Sequence, residues 1–254
     1  QREMNEGIIS LADPKQWVAY RAAESVEIIK KTVGLYQNWP TREAACADIL
    51  DGFPPRFAQA AALEQGDGLW NVMAATGSGK TEAALLRHAT RNERLIFLLP
   101  TQATTNAIMR RVQKAFKGTT NVASLAHGLA ITEDFYSQNI SVSDVMVEDN
   151  YQDNGGLFPT EFVKSGASRL LAPVCVGTVD QAILGSLPTK FNHLRLLALA
   201  NAHVVIDEVH TLDAYQSELL EDLLHWWAAT HTPITFLTAT MPAWQQEKFK
   251  QAYS

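Results

Sequence analysis

The sequence predicts an α/β fold, a mostly parallel sheet with helices on both faces, on three observations. Short runs at 69–75, 95–99, 122–125, 174–177, 204–207 and 234–238 are predominantly apolar rather than strictly alternating, as strands covered on both faces are. Amphipathic stretches at 79–91, 101–117, 178–187, 213–229 and 242–252 lie between most of them, and strands that alternate with helices form parallel sheets. The first apolar run feeds a glycine loop that opens a helix.

In chain order, Asp13-Pro14 sets a capping carboxylate before a proline at the first helical position. Trp17, Tyr20, Val26, Ile29 and Val33 recur behind it at helical spacing, so a helix is expected over about 14–33. Pro40-Thr41 and Pro54-Pro55 punctuate two shorter helical stretches. Residues 1–66 thus read as a helical lead-in and 67–254 as the alternating region. From Gly128 to about Leu170 the rhythm fails: Asn, Ser, Asp and Gly are spread through the stretch, with Asn154-Gly155-Gly156 as a turn signal. Structureless loops of this length are uncommon in compact domains, so about 128–170 is expected to be an insertion with short elements of its own or partial disorder.

The chain has 254 residues, 46% hydrophobic and 19% charged, enough to bury a core and too apolar for a disordered chain. At about 150 residues per domain the length corresponds to roughly 1.7 domains. Cys46 and Cys175 lie far apart with no CxxC, which excludes a disulfide framework or a zinc ribbon and fits a reducing cytosol. No run approaches 18 apolar residues and no signal peptide opens the chain, so a cytoplasmic protein with no membrane partner is expected. The chain begins on Gln1 rather than Met, as a trimmed piece of a longer protein would.

Ala74-Ala75-Thr76-Gly77-Ser78-Gly79-Lys80-Thr81 is a phosphate loop with alanine at its first glycine position. Glycines let backbone N–H groups turn toward phosphates, and the helix N-terminus adds a favourable dipole. Ala75, Thr76, Gly77, Ser78, Gly79, Lys80 and Thr81 are therefore the expected ATP-binding residues, with Lys80 on the β and γ phosphates and the Thr81 hydroxyl on Mg²⁺. Farther on, His203-Val204-Val205-Ile206-Asp207-Glu208-Val209-His210 is an apolar run that ends in two acids. Ligands of parallel sheets lie beyond the carboxyl ends of strands, which suits Asp207 to the Mg²⁺ shell and Glu208 to the base that activates water. Lys80, Asp207 and Glu208 are the expected catalytic set. His203 and His210 lack the spacing of a zinc site. His210 is expected to couple rather than ligate. His127, His193, His225 and His231 are expected to be surface or satisfied core histidines.

The order of segments is more specific than a generic ATPase: the phosphate loop, then Leu99-Pro100-Thr101-Gln102, Gly177-Thr178-Val179-Asp180-Gln181, Asp207-Glu208-Val209-His210 and Thr238-Ala239-Thr240. It resembles the first RecA-like lobe of a superfamily 2 DExH helicase, a P-loop NTPase domain. Leu99 to Arg111, the LAHG at 125–128, Val176 to Pro188, and the DEVH followed by Asp213-Ala214-Tyr215 further resemble the CRISPR-associated helicase-nuclease family of type I interference systems. This resemblance implies an ATP-driven motor that moves 3'→5' on single-stranded DNA after recruitment to a Cascade-type surveillance complex, with a separate HD nuclease. It also implies adenine recognition by Gln59, coupling through His210, Thr238 and Thr240, and strand contacts at Thr101, Gln102, Thr105, Thr178 and Gln181. Such hydroxyls can bind sugar-phosphate oxygens without reading bases, or simply cap helices.

No His-Asp dipeptide occurs in the chain, so the nuclease centre is not expected in it. Nothing after Thr240 resembles a second lobe, which in this family supplies the arginine that stabilises the transferring phosphoryl group. The chain alone is therefore expected to bind ATP weakly and to hydrolyse it very slowly. A DExH helicase of DNA repair or RNA metabolism, and a stand-alone ATP-dependent binding module, are the alternatives. The formal charge of -6 argues against nucleic acid only as a total. Residues 128–170 hold seven acids against Lys164 and Arg169, 71–127 hold eight bases against Glu82 and Glu93, and 203–222 hold six acids and no Lys or Arg.

Overall fold

The structure, a computed structural model, describes residues 14–128, 134–137, 156–164 and 166–254. Seven strands form one parallel sheet: β1 (Leu69–Met73), β2 (Arg94–Leu99), β3 (Thr120–Ala126), β4 (Gly156–Phe158), β5 (Val174–Thr178), β6 (Ala202–Asp207) and β7 (Ile234–Thr238). Their order across the sheet is β1-β7-β6-β2-β5-β3-β4, with every pair parallel. Ahead of the sheet lie α1 (Pro14–Thr32), α2 (Arg42–Leu50) and α3 (Phe57–Ala62). The crossovers are α4 (Lys80–Ala89), α5 (Gln102–Ala115), the one-turn α6 (Asp134–Ser137), α7 (Val179–Ile183), α8 (Asn192–Ala200), α9 (Ala214–Ala229) and the last helix, α10 (Ala243–Ala252).

The continuous apolar runs have the cause expected of them. In β2, Leu95, Phe97 and Leu99 face one core cluster with α2, α4 and α5, while Ile96 and Leu98 face the other with α7, α8, α9 and α10. Period-two geometry sends alternate side chains to opposite faces, and both faces are covered. Helices that precede β4 in the chain cover one face and those that follow β5 cover the other. Full burial of each large side chain, Phe97, Phe236 and Trp227 among them, contributes about 1.5–3 kcal/mol.

Two features differ from expectation, and the expected insertion lies only partly within the described residues. The first helix forms, but Trp17, Tyr20, Val26 and Ile29 on it stay 41–49% exposed, and only Val33, just past its end, is buried. An unpredicted helix, α8, carries the run NHLRLLALA and buries only Ala198 and Leu199 while Leu197 is exposed, so its apolar letters do not mark its buried face. Within the expected insertion, residues 129–133, 138–155 and 165 lie outside the described residues. The rest joins the core: β4 extends the sheet, Phe135 and Tyr136 are buried, and the Tyr136 hydroxyl donates to the Leu125 carbonyl (3.1 Å) and accepts from its N–H (2.8 Å).

The local basic excess at 71–127 is largely internal. Arg87 and Arg94 donate to backbone carbonyls, and Arg91, Arg111, Lys114 and Lys117 pair with carboxylates. Lys80 in the loop and exposed Arg110 remain without an ion pair among the described residues. No described helix is long and apolar enough to cross a membrane.

Candidate active site

The sheet order brings the carboxyl ends of β1, β7 and β6 side by side. The phosphate loop follows β1, Thr238 to Thr240 follow β7, and Asp207-Glu208 end β6. The loop turns through two left-handed glycines, Gly77 (φ 76°) and Gly79 (φ 90°), and delivers Lys80 and Thr81 to the first turn of α4, both buried. Lys80 Nζ donates to the Ala74 carbonyl at 2.8 Å, which holds the ammonium inside the loop.

Helix α3 is tied to the loop by two side chains. Gln59, 4% exposed, accepts from the Arg56 N–H with Oε1 (2.8 Å) and donates to the Gly79 carbonyl with Nε2 (3.3 Å). Arg56 donates to the Gly77 carbonyl at 3.0 Å. Beside them opens a cleft of ≈ 440 Å³ whose lining includes Phe53, Arg56, Gln59, Gly79, Glu82 and Arg111. Gln59 was expected from sequence; Arg56 was not. The RxxQ spacing carries part of the signal, because a Gln at the third helical position can cap the Arg56 N–H as it does here; the guanidinium itself has no acceptor to complete a capping box. Arg111 pairs with Glu82 across the cleft at 2.5 Å, a contact between helices that the sequence does not show.

At the acidic end, the Asp207 carboxylate accepts from the Glu208 N–H at 2.8 Å. Burial raises its pKa to about 6, with repulsion from Glu208 adding to the shift and that N–H, Lys80 and Arg111 opposing it. Glu208 itself takes a left-handed backbone (φ 53°), which turns the chain sharply away from the strand. Thr238 donates its hydroxyl proton to the Thr240 carbonyl (2.6 Å), so the 2.9 Å contact with His210 Nδ1 requires the imidazole to donate. His210 Nδ1 also lies 3.3 Å from a Glu208 oxygen. The Ala74 N–H donates to the Thr238 carbonyl at 3.1 Å. Hydrogen bonds thus run from the phosphate loop through Thr238 to His210, and a Glu208 oxygen stands within ion-pair distance of that imidazole.

Among the described residues no group of three or more His, Cys, Asp or Glu could hold a metal. The oxygen donors at hand, the Thr81 hydroxyl and the Asp207 carboxylate, fit Mg²⁺. That ion takes one or two protein oxygens and completes its shell with phosphate and water.

The expected strand-contact residues follow β2 and β5, the neighbouring half of the same edge. Thr101 caps α5, accepting from the Thr104 N–H at 3.3 Å, and it is exposed with Gln102. Thr105 is fully buried and donates its hydroxyl to the Thr101 carbonyl at 2.7 Å; Thr178 is buried as well. Gln181 is half-buried and accepts from Arg195 at 3.1 Å.

Residues 56–249 match the DEAD/DEAH box helicase family. The chain is similar to the CRISPR-associated nuclease/helicase Cas3 of Streptococcus thermophilus, 33% identical over 218 residues, 80% of this chain and 23% of that protein. It is similar to the CRISPR-associated endonuclease/helicase Cas3 of Escherichia coli strain K12, 30% identical over 230 residues, 87% and 26% of the two chains. The crystal structure of T. fusca Cas3-ATP matches with a TM-score of 0.73 at 27% identity, over 89% of this chain and 26% of that one. A chain of a pre-nicking CRISPR RNA-guided surveillance complex matches at 0.54 and 29%, over 82% and 21%. This chain therefore spans about a quarter of the length of the relatives it matches. With the glycine loop, the acid pair and the β7 end meeting on one sheet edge, and the match running through all three, the chain belongs to the DEAD/DEAH box helicase family.

Proposed function

We propose that this chain is the ATP-binding lobe of an ATP-dependent DNA helicase or translocase that unwinds and feeds target DNA for degradation in type I CRISPR antiviral defence. The observation that carries the motor reading is the run of contacts from Ala74 through Thr238 to His210 by hydrogen bonds, with Glu208 3.3 Å from that imidazole, which links the nucleotide loop to the acid that meets water. Similarity to the Cas3 proteins supports the CRISPR role. Likeness to a chain of a surveillance complex supports a Cascade-type partner; the reading places the protein in the cytoplasm with single-stranded DNA as its track.

In this reading Gln59 recognises adenine, and Lys80 leaves the Ala74 carbonyl for the β and γ phosphates. Mg²⁺, held by Thr81 and Asp207, would neutralise charge on the phosphate oxygens. Glu208 accepts the proton of the attacking water as its oxygen bonds to the γ-phosphorus and the bond to the β-phosphate oxygen breaks, leaving ADP and phosphate. His210 senses the change at Glu208 and passes it to Thr238 and Thr240. Thr101 and Gln102 meet the DNA backbone from the exposed start of α5. The arginine that stabilises the transition state comes from a second lobe, worth about 10³ to 10⁵ in rate.

Nucleotide titration and turnover assays test this. Lys80→Ala should abolish ATP binding. In a protein extended through a second lobe, Glu208→Gln should keep ATP binding and lower DNA-stimulated turnover by about 10²-fold or more. Normal turnover in the Glu208 variant removes it from the base role, and rapid DNA-stimulated hydrolysis by residues 1–254 alone refutes the need for that lobe.

A further inference from the structure

Between α7 and α8 the chain turns at the carboxyl edge of the sheet before running back along α8 to the start of β6. At this turn stands Phe191, with φ 65° and ψ 21°, a left-handed conformation that is a true outlier for a bulky side chain. The residue is 47% exposed, so only part of its apolar surface is buried to offset the strained backbone, and it gives α8 no side-chain cap. Lys190 Nζ lies over the ring, 5.0 Å from its centroid, and makes no ion pair among the described residues. From Gln181 to Ile206 the chain holds no acid, and its only Lys and Arg are Lys190 and Arg195. Arg195 donates to the Gln181 carbonyl and to its side-chain oxygen, both at 3.1 Å, which fastens α8 to the helix that follows Thr178.

We infer that Phe191 and Lys190 form a stacking contact for single-stranded nucleic acid, one base lying on the ring face opposite Lys190 and the ammonium meeting a flanking phosphate. The inference rests on the motor-lobe reading and adds a base contact to the backbone contacts expected there. Every base has a π-face and a phenyl ring offers no hydrogen bond, so the contact tolerates any sequence, as a motor requires. The lysine on the far face adds positive charge to a segment, 181–206, that holds no acid of its own.

The test is fluorescence anisotropy of a labelled oligo-dT with this 254-residue chain, alongside melting temperatures. Glycine is at ease in the left-handed region, so Phe191→Gly should melt at the same temperature or higher while binding oligo-dT about tenfold more weakly. Phe191→Trp should bind as the native chain does. Lys190→Gln should reduce the slope of log K against log salt by about 0.7. On an abasic strand of equal length, the native chain and Phe191→Gly should bind alike. Undiminished oligo-dT binding by Phe191→Gly overturns the stacking contact and leaves the motor reading intact, as does an equal loss on the abasic strand. A native chain that does not bind oligo-dT overturns both.

Discussion

Gly77 and Gly79 share a backbone conformation and differ in their neighbours. A methyl group at Gly77 meets nothing within 4 Å, so Gly77→Ala bears only the left-handed cost, about 1–2 kcal/mol. At Gly79 the same methyl stands 2.3 Å from Gln59 Nε2 and displaces the amide from the Gly79 carbonyl. Urea unfolding should therefore show a loss of about 1–2 kcal/mol in both variants, while preference for ATP over GTP should fall only in Gly79→Ala. Equal preference in competition binding takes base recognition away from Gln59. The glycines were legible in sequence because the loop motif names them. The dependence of one glycine on Gln59, twenty residues upstream, was not, since it arises where α3 packs on the loop.

At the scale of elements, α4 is held at both ends. Its first turn carries Lys80 and Thr81, and its far end carries Arg87, 1% exposed. Arg87 donates to the carbonyls of Ile234, Gly66 and Gly68 and to the Thr235 hydroxyl, and its guanidinium lies 5.8 Å from the Trp70 ring centre. Among the described residues no carboxylate pairs with it, and burial, with repulsion from Arg91, lowers its pKa to about 10. The contacts pin the starts of β1 and β7, the two strands whose other ends form the loop and the Thr238 link. Arg87→Met keeps the apolar stem but strips several buried acceptors, and should cost about 3 kcal/mol or more in chemical unfolding and weaken nucleotide binding measured at 4 °C. A stable variant with full affinity would show that the strand starts hold without it. The apolar pattern predicts α4 well; it gives no hint that a surface-type residue forms its buried anchor, because four acceptors from two separate segments meet only in the fold.

Over the whole molecule, the ends of β6 and β7 opposite the nucleotide edge enclose a neutral histidine pair. His88 and His203 are fully buried, their Nδ1 atoms 3.3 Å apart, and His203 Nε2 contacts the Thr235 hydroxyl at 2.8 Å. Burial depresses both pKa values, His88 to about 3, and Arg91 opposes a charge on either ring, as Arg87 does on His203. Tyr36 packs edge-on against His88, and the neighbouring Glu93 is itself raised by burial. The unfolded chain therefore binds more protons than the folded one as pH falls below about 6.5, so stability is present at neutral pH and declines downward through that value. The limiting slope is about 1.4 kcal/mol per pH unit for each histidine, and the raised Asp207 offsets part of it. Urea midpoints at pH 7.5 and 5.5 should differ clearly in the native chain and less in His203→Gln; equal differences would show that the pair does not set the acid limit. By itself the sequence determined the fold class, six of the seven strands, the phosphate loop and the acid pair, because buried strands and glycine loops are local patterns of hydropathy and backbone freedom. The tertiary structure alone decided how those segments are sorted. In the chain, the segments after β1, β2, β5, β6 and β7 come in that order, whereas the sheet places β1, β7 and β6 together at one end and β2, β5 and β3 beyond them. Strand neighbours are chosen by burial on both faces and by crossover geometry, which no local run of residues records. That choice gathers the loop, Thr238, His210 and Glu208 into one site and leaves Thr101, Gln102 and Phe191 on the adjoining half of the edge.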